Sequence, residues 1–325
     1  MSNQVSRRNF IQCGACLGTA ALFLNKAYSA DANALAQDKA ETNVRFCLNL
    51  GTIRSYDLRL IQELEVAKKA GYSSVEIWLD RLTDYARADD PRVFNQNKLK
   101  ELKKYVDGEG LKIEGAIGFA SWIVDDERRR ADGLEELKRQ VEALATIGAS
   151  CIAAPASGTN DKIPVETVAK RYRTVLELCE PYGVRPLLEL WGVSQTLGKV
   201  SDCLAICAET ERTDAALLLD VYHMFRGGNS FSSLALISGS ATPVFHMNDY
   251  PSEPPREKMN DGHRVFPGDG RAPWSEIMRL LHKNGFNGAF SFEIFNQDYR
   301  KQYSAVDQAR IGLEKMQTLY EEYAK

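Results

Sequence analysis

The chain has 325 residues, of which 44% are hydrophobic and 26% charged, and its formal net charge is −3. This length allows one large domain or two ordinary ones, and the composition is typical of a globular protein with a sizeable core. A mildly acidic chain offers no basic surface, so neither nucleic acid nor an anionic membrane is expected as a partner.

The N-terminal segment has the pattern of a twin-arginine export signal. Arg7 and Arg8 precede an apolar stretch at 11–24 that is too short for a stable membrane span, and Ala30 and Ala32 frame a small-residue cleavage site. We therefore predict export to the periplasm, with no stable membrane insertion after cleavage. A membrane anchor that is never cut is the alternative reading of the same segment.

After residue 42, strand-like and helix-like segments alternate. The predicted strands are 43–49, 72–78, 111–117, 150–154, 186–191, 216–222, 243–249 and 289–295. The predicted helices are 58–70, 98–109, 127–147, 165–182, 200–209, 232–238, 274–284 and 302–323. The last four strands are the apolar runs PLLELW, ALLLDVY, PVFHMND and AFSFEIF, which are typical of parallel strands buried on both faces.

This alternation predicts parallel strands joined by right-handed helical crossovers. Eight strand and helix pairs indicate a single-domain α/β fold, a (β/α)8 TIM barrel at 43–325, preceded by an export signal at 1–32 and a short linker at 33–42. The alternative is a doubly wound open sheet, which would gather ligands at one switch point. Because no glycine-rich phosphate motif follows a strand, a nucleotide cofactor is not expected.

Four acid or imidazole side chains lie at or next to the ends of the last four strands: Glu189, Asp220, His246 and Glu293. In a closed parallel barrel all C-terminal strand ends share one rim, so these side chains should converge. Carboxylates that close together repel one another unless a cation neutralises them. The pattern therefore predicts one divalent metal ion held by all four residues, and oxygen ligands with one imidazole suit Mn, Mg, Co or Zn. Salt bridges to a barrel arginine and a core histidine are the structural alternatives.

Two further polar residues are candidates for contact with a substrate. His223 comes three residues after Asp220, where it could reach a substrate or support a metal ligand, or cap a helix. Arg264 belongs to a long loop that should lie at the C-terminal rim, and its guanidinium could bind a sugar hydroxyl or carbonyl oxygen. Glu76, near the end of the second strand, could orient other polar groups.

Several aromatic residues also fall near the predicted rim. They are Trp78, Phe119, Trp122, Trp191 and Phe225, and they could form an apolar wall for the carbon face of a sugar or belong to the core.

The residues at these strand ends match a known family pattern. The chain resembles the xylose isomerase-like barrel superfamily, in the branch of sugar phosphate isomerases and epimerases that includes inosose isomerase, inosose dehydratase and ketose 3-epimerases. The motifs that carry the resemblance are Glu189 in LLELWG, Asp220 and His223 in LLLDVYH, His246 in FHMNDYP, Arg264 in HRVFPGDG and Glu293 in FSFEIF. The resemblance covers nearly all of the chain after residue 42.

The resemblance implies a metal-dependent isomerase or epimerase in which Glu189 and Glu293 both bind the ion and exchange a proton with carbon. A metal that bridges a carbonyl and the neighbouring hydroxyl acidifies the C–H between them, which gives a metal-stabilised enediolate. Two carboxylates on opposite faces can then remove and return the proton.

One position departs from the ketose 3-epimerase pattern. Those enzymes place a second glutamate six residues after the first ligand, whereas this chain has Gln195, which can bind a hydroxyl but cannot carry a proton. The GVSQ stretch and the HRVFPGDG loop are similar to inosose isomerase. Because phosphorylated intermediates are normally retained in the cytoplasm, the export signal favours an unphosphorylated keto-sugar or cyclitol as the substrate.

Three other functions remain open. A lyase or dehydratase would use the same enediolate to expel water or the aglycone of a 3-keto-glycoside. A phosphodiesterase related to endonuclease IV would need more histidines than the four in this chain. A non-catalytic sugar-binding protein would not need the proton-transfer carboxylates, and both a monomer and a homo-oligomer are compatible with the sequence.

Overall fold

Eight parallel strands close into a barrel in the computed structural model, which describes residues 44–90 and 93–323. Each strand pairs with its neighbours in chain order, and the eighth pairs with the first. The predicted (β/α)8 TIM barrel is confirmed. The predicted export signal at 1–32 and the linker at 33–42 lie outside the described residues, and within them no helix is long and apolar enough to cross a membrane.

The strands are short, and each is followed by helical structure. Their bounds are β1 Arg45–Asn49, β2 Ser74–Trp78, β3 Lys112–Ile117, β4 Cys151–Ala154, β5 Arg185–Glu189, β6 Leu217–Asp220, β7 Val244–Met247 and β8 Ala289–Phe292. The helices are α1 Leu60–Ala70, α2 Leu79–Tyr85, α3 Gln96–Gly108, α4 Glu127–Ile147, α5 Val165–Cys179, α6 Val200–Glu209, α7 Val221–Arg226, α8 Trp274–Lys283 and α9 Ala305–Tyr323.

The predicted elements differ from the observed ones mainly at their ends. The helix predicted at 165–182 ends at Cys179 and continues as a 3-10 turn, Glu180–Tyr182. The segment predicted as a helix at 232–238 is a 3-10 turn, Phe231–Leu236. Helices α2 and α7 were not predicted, because each follows its strand without an intervening turn signal.

Alternation along the strands divides the core into two parts, since successive side chains of a strand point to opposite faces. The larger part lies between the strands and the helices. The smaller part is an apolar layer inside the barrel, formed by Cys47, Ile117, Cys151, Ala153, Leu187, Ala216, Leu218, Val244 and Ala289. This layer fills the middle of the lumen, so polar side chains that point inward collect at its two ends.

Candidate metal centre

Three of the four predicted metal ligands converge at the C-terminal rim. Asp220 ends β6, His246 lies in β7, and Glu293 directly follows β8. Their ligating atoms lie within 4.8 Å of one another, and all three side chains are buried. His246 Nδ1 is 3.3 Å from Glu293 Oε2 and 3.8 Å from Asp220 Oδ2. Among the described residues, these three are the only His, Cys, Asp and Glu side chains that form a group of three or more close enough to share an ion.

The orientation of the His246 ring is set by Glu76. Nε2 of His246 lies 2.9 Å from a Glu76 carboxylate oxygen, which can only accept, so Nε2 carries a proton. The other ring nitrogen, Nδ1, is buried and has no hydrogen-bond partner in the protein. Burial opposes a charge on this ring, but Glu293 and Glu76 outweigh it and raise the pKa of His246. A carboxylate behind the outer nitrogen is the usual support for a metal-binding histidine.

Glu189 ends β5 at the same rim but is not part of the three-residue group. Its side chain is buried, and its Oε2 has no hydrogen-bond partner in the protein. Burial and the nearby charge of Glu293 raise the pKa of Glu189 to about 8. An unpaired buried carboxylate oxygen is costly unless a cation or a ligand donor reaches it.

Glu293 has the opposite electrostatic environment. Its Oε1 accepts from Asn49 Nδ2 at 2.9 Å, and its Oε2 accepts from Arg264 Nη1 at 2.7 Å. Although burial raises the pKa of this carboxyl, His246 and Arg264 outweigh burial and lower it. The surroundings therefore shift the pKa values of the two glutamates in opposite directions.

Asp220 is held in place by both of its oxygens. Oδ1 accepts from the backbone N–H of His223 at 2.7 Å and so caps helix α7. Oδ2 accepts from Asn248 Nδ2 at 2.6 Å, while the oxygen of the same amide accepts from the backbone N–H of Tyr222 at 2.8 Å. Asn248 thus ties the end of β7 to the start of α7.

Arg264 reaches the cluster from its loop and is 1% exposed. Its Nη1 donates to Asp220 at 3.1 Å and to Glu293 at 2.7 Å, and its Nη2 donates to Asp261 at 2.8 Å. Nη2 also lies 3.1 Å from Nε2 of His223, which must be the acceptor because arginine has only donors. Burial lowers the pKa of His223, consistent with a neutral ring. Arg264 and His223 therefore lie beside the predicted metal ligands.

The cluster has an excess of buried negative charge. The carboxyl groups of Glu76, Glu189, Asp220 and Glu293 are 5% exposed or less. Even with Glu189 protonated, the other three carboxylates outnumber the cationic groups beside them, Arg264 and His246. The chemistry of this donor set fits a divalent cation, which prefers carboxylate oxygens and accepts an imidazole nitrogen.

Aromatic rings form an arc at the same rim. The centroid of Trp78 lies 5.5 Å from that of Phe119 and 5.9 Å from that of Phe295, and Phe119 lies 6.1 Å from Trp191. Trp78 Nε1 donates to Asn49 Oδ1 at 2.8 Å, which links the arc to Glu293. The position of Trp78 and Trp191 at the rim matches the sequence prediction, and their contact with a substrate stays a prediction.

Two aromatic predictions need correction or refinement. Trp122 is not part of the rim wall: it is 2% exposed, its Nε1 donates to the carbonyl of Pro155, and its ring packs 5.9 Å from Tyr172 in the core. Phe225 is half-buried and stacks on Tyr250, with the centroids 3.7 Å apart. Gln195 is exposed, and its predicted contact with a substrate hydroxyl stays a prediction.

Asn49 and Phe295 were not found by sequence reasoning. Asn49 ends β1, and the strand-end rule that identified the carboxylates applies to it equally. A neutral amide at a strand end produces no charge anomaly, so Asn49 did not stand out, and Phe295 was counted only as part of the last apolar run. Asp249, three residues after His246, is a structural residue. It accepts from the N–H groups of Gly268 and Ala272 and from Trp274 Nε1 and so fixes the loop that carries Arg264.

Comparison with known proteins finds relatives that agree with the family predicted from the sequence. The profile of the xylose isomerase-like TIM barrel family matches residues 64–319. An inosose isomerase from Bacillus velezensis is 27% identical over 264 residues, which cover 79% of this chain and 91% of the relative. The 3-dehydro-D-guloside 4-epimerase of Escherichia coli is 22% identical over 214 residues, 61% of this chain and 77% of the relative.

Solved structures share the fold. A crystal structure of the IolI protein with a bound zinc atom superimposes with a TM-score of 0.77 at 23% identity, covering 86% of this chain and 99% of that one. The structure of an L-ribulose 3-epimerase superimposes with a TM-score of 0.68 at 18% identity, covering 86% and 95% of the two chains.

Proposed function

The chain belongs to the xylose isomerase-like TIM barrel family, and on that premise we propose that it is a divalent-metal-dependent isomerase or epimerase of an unphosphorylated keto-sugar or cyclitol. Its relatives named inosose isomerase and 3-dehydro-D-guloside 4-epimerase act in this class of reaction and support the proposal. We further propose that Glu189, Asp220, His246 and Glu293 hold the ion.

One observation carries the metal part of the proposal. His246 Nδ1 is buried among carboxylates without a hydrogen bond in the protein, while Glu76 holds the opposite nitrogen of the ring. The raised pKa of His246 means that Nδ1 carries a proton beside Glu293, and a cation would take the place of that proton and bind the neutral imidazole between Asp220 and Glu293. An ion bound there would polarise the carbonyl and hydroxyl oxygens of a keto-sugar and so acidify the C–H between them.

The proton transfers fall to Glu189 and Glu293. They come from β5 and β8, and the two strands between them carry Asp220 and His246, so the two carboxylates flank the cluster. Asn49 and Arg264 hold Glu293 in a fixed position, whereas Glu189 keeps one oxygen free of protein partners. Two carboxylates whose surroundings push their pKa values apart are suited to opposite proton-transfer roles.

Arg264, His223 and the aromatic arc complete the proposed site. Arg264 brings a fixed positive charge beside the oxygens of Asp220 and Glu293, where an enediolate oxygen would gain negative charge. Trp78, Trp191 and the rings between and beside them offer apolar faces to the C–H groups of a sugar.

An unphosphorylated substrate is favoured by charge. The buried carboxylates of Glu76, Asp220 and Glu293 at the rim would repel a phosphate group of about −2 charge, and Arg264 is already engaged by three acidic side chains around it. The sequence prediction of an exported protein points in the same direction.

A lyase or dehydratase that expels water or an aglycone is the second candidate, because its first proton transfer is the same. To separate the isomerase from the lyase, metal-loaded protein is incubated with keto-sugars and cyclitols in deuterated water, and the masses of the products are measured by mass spectrometry. A product that gains deuterium and keeps its carbon skeleton and oxygens supports the isomerase, and loss of water or an aglycone supports the lyase. If the protein exchanges no substrate proton with solvent, whichever divalent metal is loaded, both the isomerase and the lyase are ruled out.

We also propose export to the periplasm through the twin-arginine route. Replacing Arg7 and Arg8 together by lysine should hold the protein in the cytoplasm, as measured by cell fractionation, and should leave the specific activity unchanged. Unaltered export of the double variant would contradict this proposal.

A further inference from the structure

A groove opens beside the aromatic arc. It lies at the C-terminal ends of β2 and β3, between helices α2 and α4, and has a volume of about 390 Å³. The residues that matter for its chemistry are Arg54, Trp78, Asp80, Thr83, Phe119 and Gln140. A second cavity of about 530 Å³ shares Thr83, Glu136 and Gln140 with it.

Gln140 gives the groove an unpartnered polar atom. Its side chain is 8% exposed, and its Nε2 donates to Glu136 Oε1 at 2.9 Å. Because a carboxylate oxygen only accepts, this bond fixes the amide orientation and leaves Oε1 as the free end. That oxygen is buried without a hydrogen bond in the protein and lies beside Gly118, which also lines the groove. A buried acceptor without a partner calls for a ligand donor such as a hydroxyl.

The charges of the groove limit what it can bind. Arg54 donates to Asp80 at 2.7 Å and stacks over the Trp78 ring at 4.4 Å, so its charge is already compensated. Asp84 and Glu136 add further carboxylates to the lining, which disfavours phosphate or carboxylate ligands. These acids do not converge on a shared ion among the described residues. A neutral ligand with many hydroxyl groups fits best.

Trp78 and Phe119 connect the groove to the metal centre. Both rings line the groove, and Trp78 also bonds to Asn49, which donates to Glu293. A ligand that spans the two sites would therefore place its rings on either side of this aromatic pair. The volume is within the range of roughly 300–1,000 Å³ found for small-molecule sites.

We propose that this groove is a subsite for a second neutral sugar ring, so that the substrate is a glycoside whose keto ring reacts in the barrel mouth. In the bound state a rotation of the Gln140 side chain would bring Oε1 to the hydroxyls of the second ring. These hydroxyls would also meet the Arg54–Asp80 pair, while the carbon face of the ring lies against Trp78 or Phe119. The inference rests on the proposed function, because it assigns the reacting ring to the metal centre.

The test compares two probes that differ by one ring, 3-ketoglucose and 3-ketotrehalose, with metal-loaded protein. Thr83→Trp fills the groove from an exposed position on α2. Thr174→Trp is the matched control, because Thr174 is also exposed and its hydroxyl also donates to the carbonyl four residues earlier in its helix, as Thr83 does. Consumption of each probe and its deuterium incorporation give kcat/KM.

We expect kcat/KM to be at least about tenfold higher for 3-ketotrehalose, and Thr83→Trp to remove that advantage without changing kcat/KM for 3-ketoglucose. Thr174→Trp should change neither value. Gln140→Met, which keeps the length of the side chain and removes the acceptor, should raise KM for 3-ketotrehalose about three- to tenfold with kcat unchanged.

Equal kcat/KM for the two probes, or an equal loss on both in Thr83→Trp, would overturn the subsite and leave the proposed function standing. If neither probe is consumed or exchanges deuterium, the proposed function fails for this class of substrate. Calorimetric binding of the same two probes then decides the inference separately: a preference for 3-ketotrehalose that Thr83→Trp abolishes supports it, and the absence of such a preference overturns it.

Discussion

The two ends of the barrel lumen both hold buried charge, but only one end balances it within the protein. At the N-terminal end, the Glu114 carboxylate accepts from Arg45 Nε at 2.5 Å and from Lys112 Nζ at 2.7 Å. At the C-terminal end, the buried carboxylates outnumber the cationic groups, and Glu189 Oε2 and His246 Nδ1 have no hydrogen-bond partner in the protein. A buried charge alone is therefore weak evidence of a site, whereas uncompensated charge indicates one.

The apolar layer separates the two ends in space. Arg45 and Asn49 lie on β1 at opposite sides of this layer, roughly 13 Å apart along the strand. The same Glu→Gln substitution should therefore affect catalysis at the C-terminal end and only stability at the N-terminal end.

The largest expected effect is on catalysis. Glu293→Gln should lower the rate of solvent deuterium incorporation at carbon by about 10³-fold, because a positioned general acid or base contributes typically 10²–10⁴-fold. Binding of the keto-sugar, measured by calorimetry, should persist. The same change at the other end, Glu114→Gln, should leave the exchange rate near that of the unsubstituted protein.

A comparable loss of exchange in both variants would contradict the independence of the two ends, since it would mean that they act as one electrostatic unit. Unchanged exchange in Glu293→Gln would count against proton transfer by this residue.

A buried carboxyl group outside the lumen, that of Glu63, shows how burial shifts a pKa where no ligand site is proposed. Glu63 on α1 is fully buried, its oxygens have no hydrogen-bond partner, and Arg81 Nε lies 3.4 Å away. Burial raises the pKa of Glu63 from 4.5 to about 7, in spite of Arg81. The folded state thus keeps a proton that the unfolded state releases, so this contribution to stability is complete below pH 4.5 and is lost as the pH rises through 7.

Glu63→Gln should remove this pH dependence. Between pH 4.5 and pH 8 the free energy of unfolding should fall by about 3 kcal/mol less in the variant than in the unsubstituted protein, as measured by urea unfolding. Glu65→Gln, at an exposed position on the same helix, is the control and should leave the pH profile as it is. Parallel profiles for all three proteins would show that Glu63 does not titrate in this range.

Metal affinity also distinguishes the two ends of the lumen, because the proposed ion binds at the C-terminal end alone. Glu76→Gln removes the negative charge behind His246 Nε2 and should weaken binding of Mn or Zn about 10–100-fold, as is typical when such a supporting carboxylate is lost. Ser291→Ala, which removes only the hydroxyl that donates to Glu76, should change the Kd little. An equal Kd for Glu76→Gln and the unsubstituted protein would argue against His246 as a ligand.

Much of this arrangement follows from local sequence patterns. Alternation of apolar runs and helical periods predicted all eight strands in order, since both periods are local properties of the chain. The strand-end rule brought Asp220, His246 and Glu293 together without any knowledge of the loops, because closure of a parallel barrel places all its strand ends on one rim.

Other features depend on contacts between distant segments, and the sequence could not supply them. The pairing of Arg264 with Asp220 joins a long loop to a strand end 44 residues earlier. The core position of Trp122 could not be separated from the rim position of Trp78, because both are aromatic residues near strand ends. The free oxygen of Gln140 arises only where α4 crosses the ends of β2 and β3.

The smallest expected effect is on stability at the N-terminal end. Glu114 is 3% exposed, but its partners Arg45 and Lys112 keep 32% and 47% of their side chains exposed. In Glu114→Gln both cations can turn to solvent, so the cost should be about 1–2 kcal/mol, below the 3–5 kcal/mol typical of a fully buried broken pair. Urea unfolding measures this loss, and the Kd for Mn should stay unchanged. A weaker metal affinity in this variant would show that charge at one end of the lumen is felt at the other, in spite of the apolar layer between them.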